Sequence, residues 1–200
     1  MSPPFLEQLA EPRPFPGGGS AAAYVGALAL ALVEKVVRLE IKRSEKDTPA
    51  TVVWNGRLST AVNISARFRL LTQEDGRAYA RMSSLRAQDS EADVIVEAVK
   101  EAAMVPVQII HAAIQGLELV SESVGECREY LVPDLQVSGE LLWAVARGAQ
   151  AIASANIVLL ESSAHRLELQ NVLTKALEDA RDVYAKIKIS GAVQCSSDIR

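Results

Sequence analysis

The residues best suited to chemistry in this 200-residue chain stand near its start, at Pro16-Gly17-Gly18-Gly19-Ser20. They run directly into Ala21-Ala22-Ala23-Tyr24-Val25-Gly26-Ala27-Leu28. Each glycine loses more backbone freedom on folding than any other residue. Three in a row persist where a chain turns tightly or lies against a ligand or another backbone. Pro16 stiffens the entry, and Ser20 is a suitable N-cap for a helix beginning at Ala21. The free amides of Gly17, Gly18 and Gly19 at such a helix start would form an anion site. A loop packed under a neighbouring subunit, with no ligand, accounts for the same residues. Neither a Gly-Lys-Ser/Thr sequence nor a Gly-x-Gly-x-x-Gly fingerprint on a strand is present, so generic nucleotide binding gets little support.

Other chemistries find less material. No Ser-His-Asp, Cys-His or metal-ligand spacing can be assembled, so no metal is expected. His111 and His165, at the flank of an apolar stripe and at a helix junction, suit structural roles. Cys127 and Cys195 make no disulfide framework, which fits a reducing, cytoplasmic compartment. A net charge of −4 and a pI near 5.3 argue against nucleic acid as the main partner. No basic leader precedes an apolar segment. The longest apolar run, residues 21–33, falls short of the ~20 residues that span a bilayer, so no membrane partner is expected. A helix apolar on all sides but this short is buried, in a core or between subunits. A homodimer or higher assembly is therefore expected.

These residues must be held by helices. About half of the chain is apolar and aromatics are scarce, with Ala, Leu, Val and Glu abundant. After a short helix within residues 2–10, Pro12, Pro14 and Pro16 force an extended approach to the glycines. A second helix runs from Ser20 to about Ser44, its polar end read as solvated. Asp47-Thr48-Pro49 restarts the chain into a stripe through Trp54, Leu58, Ala61, Phe68 and Leu71, reaching Leu85 with Gly76 as a weak point. Another stripe extends from Asp89 or Ser90 to Val124, and Pro106 should kink or divide it. Residues 125–132 read as irregular. Pro133-Asp134 then starts a helix reaching Leu160, and a last one follows Ser162-Ser163, with order ending at Gly191 and the tail Ser196-Ser197-Asp198. No strand alternation or repeat appears. The expected fold is a single all-α domain over residues 1–200, an up-and-down bundle of about five long helices that dimerises.

Phe5-Leu6-Glu7-Gln8-Leu9-Ala10, Pro14, the Pro16-to-Ser20 motif and its alanine-rich helix together resemble the opening of the cyclodeaminase/cyclohydrolase family. That family includes the C-terminal domain of formiminotransferase-cyclodeaminase. Leu71-Thr72-Gln73-Glu74-Asp75-Gly76-Arg77-Ala78-Tyr79 is similar to a family segment with two aspartates and an aromatic. Asp75 matches the second aspartate, and Gln73 stands at the first. Pro133-Asp134-Leu135-Gln136-Val137 resembles the family's Ser-Asp-Leu-x-Val, carrying Asp134 over with Pro133 for serine. Asn156-Ile157 matches the second asparagine of Asn-x-x-x-Asn-Leu, and Ile152 replaces the first. Leu39-Glu40-Ile41-Lys42-Arg43 departs from the family's Leu-Thr-x-Gly. The resemblance implies a one-carbon reaction at N5 and N10 of tetrahydrofolate, either methenyl cyclohydrolase or formimino cyclodeaminase chemistry, without a further cofactor. It implies Asp75 and Asp134 as catalytic carboxylates. Gly17, Gly18, Gly19, Ser20, Lys42, Arg43 and Asn156 would bind the folate. A non-catalytic folate- or pterin-binding relative, or a helical scaffold dimer, is the alternative.

Overall fold

The computed structural model describes residues 4–45, 48–88 and 90–197, with side chains to Ile187. Among these residues the chain is helical, with short connections and no strand. A short α1 (Phe5–Ala10) leads to α2 (Gly18–Arg43), α3 (Pro49–Ala87) and α4 (Ala92–Val124). A 3-10 turn (Glu129–Leu131) then introduces α5 (Val132–Ile157), and α6 (Ser163–Ser197) ends the described chain. The five long helices match the periodicities of the sequence. Helix α2 packs on α3, α3 on α4, α4 on α5 and α5 back on α2, closing a four-helix ring. Helix α6 lies outside that ring against α4 and α5. Connections of a few residues force successive helices to run antiparallel.

The core follows from the apolar stripes. Leu30, Val33 and Val37 from α2 meet Phe68 and Leu71 from α3, Ile109, Ile110 and Leu117 from α4, and Leu142 from α5, all fully buried. Trp54 and Phe68 belong to this core as their spacing indicated. Helix α4 is the central element, buried on more than one side. Over residues 92–124 it is apolar enough to cross a membrane by length and composition, yet two-thirds of its most apolar window is buried inside the bundle (67%). Helix α2 passes the same test with only 44% of its window buried. The helices are thus longer than the apolar run 21–33 suggests.

Several local readings change. Helix α2 starts at Gly18, two residues before Ser20, because Gly17 rather than Ser20 holds the cap position. Among the described residues no glycine has a positive φ, so the glycine run is explained by space and not by unusual backbone angles. Gly76 does not weaken α3, which continues through it. The Phe15 ring occupies the place a side chain at Gly76 would take. Pro106 does not divide α4. A proline lacks the N–H that would bond the carbonyl four residues earlier, leaving the Ala102 oxygen without its helical donor. Asn156 Nδ2 supplies that bond from α5 at 2.7 Å.

The polar end of α2 is also less solvated than its composition indicates. Glu40 is buried and accepts two bonds from Arg128 in the α4–α5 connection, from its backbone N–H and from Nη1, both at 3.0 Å. Helix α5 starts at Val132 and stops at Ile157, short of Leu160. Helix α6 passes through Gly191 to Ser197. Asp198 and the side chain of Cys195 lie outside the described residues. Cys127 is free and buried.

Candidate active site

The glycine run and Asp75 meet, although 55 residues separate Ser20 from Asp75. Ser20 Oγ donates to Asp75 Oδ2 at 2.9 Å, and the Ser20 backbone N–H donates to the same carboxylate. Asp75 thus sits where an anion is favoured, at the positive end of α2. At the helix start where the sequence reading placed an anion stands a carboxylate of the chain itself. Gly19 is glycine for this reason. A Cβ there would overlap the Asp75 carboxylate, and one at Gly18 would lie 2.9 Å from Ile152 Cδ1.

A cavity of about 280 Å3 opens beside this contact. Gly17, Gly18 and Gly19 of the α2 start, Asp75 and Tyr79 of α3, and Ile152 and Asn156 of α5 line it, with Ala102 of α4 behind and Phe15 at one side. Burial raises the Asp75 pKa above the ordinary carboxylate value of 3.8, and the two Ser20 bonds offset part of that rise. The result is a partly desolvated carboxyl that keeps its proton to higher pH than an exposed one does. Asn156 lines the cavity with its amide nitrogen committed to Ala102. Ile152 also lines it and offers no polar group. Among the described residues Asp75 is the one ionisable carboxyl on this wall.

The remaining candidates lie elsewhere in the chain. Asp134 pairs with Lys35 at 2.8 Å. From Ser20 to Lys35 the α2 axis rises fifteen residues, about 22 Å. Within one chain Asp134 is therefore remote from Asp75. Lys42 and Arg43 stand farther still, in the last turn of α2, where the Arg43 guanidinium lies over the Tyr130 ring at 5.1 Å. A wider trough of about 580 Å3 between α3 and α4, lined by Val52, Arg57, Asn63 and Glu118 among others, holds none of the residues singled out in the sequence.

Phe15 and Ala102 were not legible as site residues. A glycine in the middle of a 39-residue helix was the available signal for Phe15, since something must press on it.

Comparison with known proteins bears on this arrangement. The fold matches a crystal structure of formiminotetrahydrofolate cyclodeaminase from Thermotoga maritima, with a TM-score of 0.84 at 22% identity. The match covers 93% of this chain and 92% of that one. No curated protein matches the sequence significantly. Residues 3–175 match the family described as formiminotransferase-cyclodeaminase. With the matched region spanning the glycine run, Asp75, Asp134 and Asn156, the chain belongs to the formiminotransferase-cyclodeaminase family.

Proposed function

We propose that this chain is an enzyme of folate one-carbon metabolism that opens or closes the one-carbon bridge between N5 and N10 of tetrahydrofolate. Family membership supports the substrate class. The observation that carries the reading is the Asp75 carboxyl, fixed by Ser20 at the start of α2 and facing the cavity with a raised pKa. In cyclodeaminase chemistry N10 attacks the formimino carbon and ammonia departs; a carboxylic acid can protonate the leaving nitrogen. In cyclohydrolase chemistry water adds to the methenyl carbon, and a carboxylate can take its proton. Asp75 suits either role, and its anion would also favour the cationic amidinium carbon.

The test is absorbance of purified protein with 5,10-methenyltetrahydrofolate, because opening the bridge abolishes its near-ultraviolet band. Turnover that falls by about a hundredfold or more in Asp75→Asn supports the assignment. Turnover unaffected by the change removes Asp75 from the chemistry.

A second reading, binding without turnover, draws on Ile152. Loss of one well-placed polar group costs about 1–3 kcal/mol, or roughly one to two powers of ten in rate if it falls on the transition state. Folate binding with no loss of the methenyl band would favour it.

The same proposal includes a homodimer. Leu28 and Ala31 form an exposed apolar strip on α2, and Leu28 is 54% exposed. Contiguous apolar surface of this kind calls for a partner. Leu28 stands about midway between Ser20 and Lys35 along the helix. An antiparallel pairing of two α2 helices across Leu28 would bring the partner's Asp134 to the height of Asp75. This is the arrangement in which both candidate carboxylates serve one site.

A further inference from the structure

Within one chain Lys42 and Arg43 stand at the far end of α2 and supply no cation beside the first cavity. A second cavity of about 310 Å3 adjoins the first. Both cavities are lined by Phe15, whose ring lies on Gly76 and separates them. They follow α3 in order, with Arg69, Thr72 and Gln73 in the second and Asp75 and Tyr79 in the first. Either volume alone is small for an elongated ligand, and the pair falls within the ~300–1,000 Å3 typical of small-molecule sites.

The linings differ in chemistry. Phe5 and Tyr24 stack at 4.3 Å between ring centroids and, with Phe15 and Pro16, give the second lobe an aromatic wall. Arg69 is the only basic side chain lining either lobe among the described residues. It is exposed, and its Nη2 donates to Ser65 Oγ at 3.1 Å, which uses one of five donors and leaves the guanidinium able to take a carboxylate.

We infer that this second lobe is a subsite for an aromatic acyl-amino-acid tail, with the benzoyl ring against Phe15 and Tyr24 and a carboxylate on Arg69. The inference rests on the folate reading for the head group in the first lobe. It assigns tail recognition to α1 and α3 rather than to the basic end of α2.

Calorimetric titrations with three ligands test it: 5-formyltetrahydrofolate, 6-methyltetrahydropterin (head alone) and p-aminobenzoylglutamate (tail alone). Arg69→Met keeps the aliphatic stem and removes the charge. It should weaken the two tail-bearing ligands about tenfold, the size of a lost charge-assisted hydrogen bond, and leave the head-only ligand unchanged. Arg69→Lys should recover part of the loss. Equal weakening of all three ligands, or a tail-specific loss in Lys42→Met instead, overturns the subsite. If the head and the whole folate bind but Arg69→Met changes nothing, the subsite fails while the folate reading stands. If none of the three binds the wild-type protein, both fail.

Discussion

At the scale of single residues, the site turns on what surrounds Asp75. Ser20→Ala removes a bond to its carboxylate, so the Asp75 pKa should rise further and any acid limb of the rate profile should move to higher pH. The expected stability loss is about 1 kcal/mol. Linkage gives a second check. A carboxyl whose folded pKa lies above its unfolded one favours folding most below the unfolded value, and loses that contribution as pH rises through the folded value. The melting temperature of Asp75→Asn relative to wild type should therefore fall as pH drops from about 7 toward about 4. A constant difference would contradict the raised pKa. Cys127 behaves differently. Burial and the nearby Glu40 charge push its thiol up to about 11. Iodoacetamide at neutral pH should leave it unmodified by peptide mass mapping until the protein is unfolded.

At the scale of elements, the pairing of Pro106 with Asn156 couples α4 to α5. Asn156→Ala leaves the buried Ala102 carbonyl without a donor and should cost about 1–3 kcal/mol in urea denaturation. Pro106→Ala restores an N–H four residues after Ala102. In that background Asn156→Ala should cost less, and the double-mutant cycle should show the coupling. Additive effects would mean that the two residues act independently. Gly26 belongs to this scale too. Its missing side chain is filled by the Phe68 ring of the same chain, so a bulky residue there attacks the fold rather than any subunit contact. Leu28 is the position that tests assembly.

At the scale of the whole molecule, the half-covered α2 helix is the feature the single chain does not resolve. Leu28→Lys should yield a folded monomer by analytical ultracentrifugation at micromolar concentration, and a wild-type monomer would end the dimer proposal. Shared sites have a sharper signature. Mixing inactive Asp75→Asn and Asp134→Asn chains would restore one intact site in each mixed dimer, returning up to about a quarter of wild-type activity in a C2 assembly. No recovery would place Asp134 outside the site.

The sequence by itself determined the helices, their order and the core faces, because apolar residues at three- and four-residue steps fix which side of a helix is buried. Together with resemblance it also picked out the glycine run, Asp75 and Asn156, which the fold does bring to one cavity. Only the tertiary structure decided their meaning. A periodic stripe sets the face of a helix but not its height against its neighbours. Nothing in the chain's pattern could therefore say that Asp75 reaches Ser20 while Asp134 reaches Lys35, about four turns farther along α2. Glu40 shows the same limit: Arg38, Lys42 and Arg43 near it are charged and exposed, yet its height places it under Arg128. The glycine run likewise left a tight turn and a close approach as equal readings. The glycines serve proximity, since a carboxylate and an isoleucine stand where side chains would be, and that is a property of the packed helices alone.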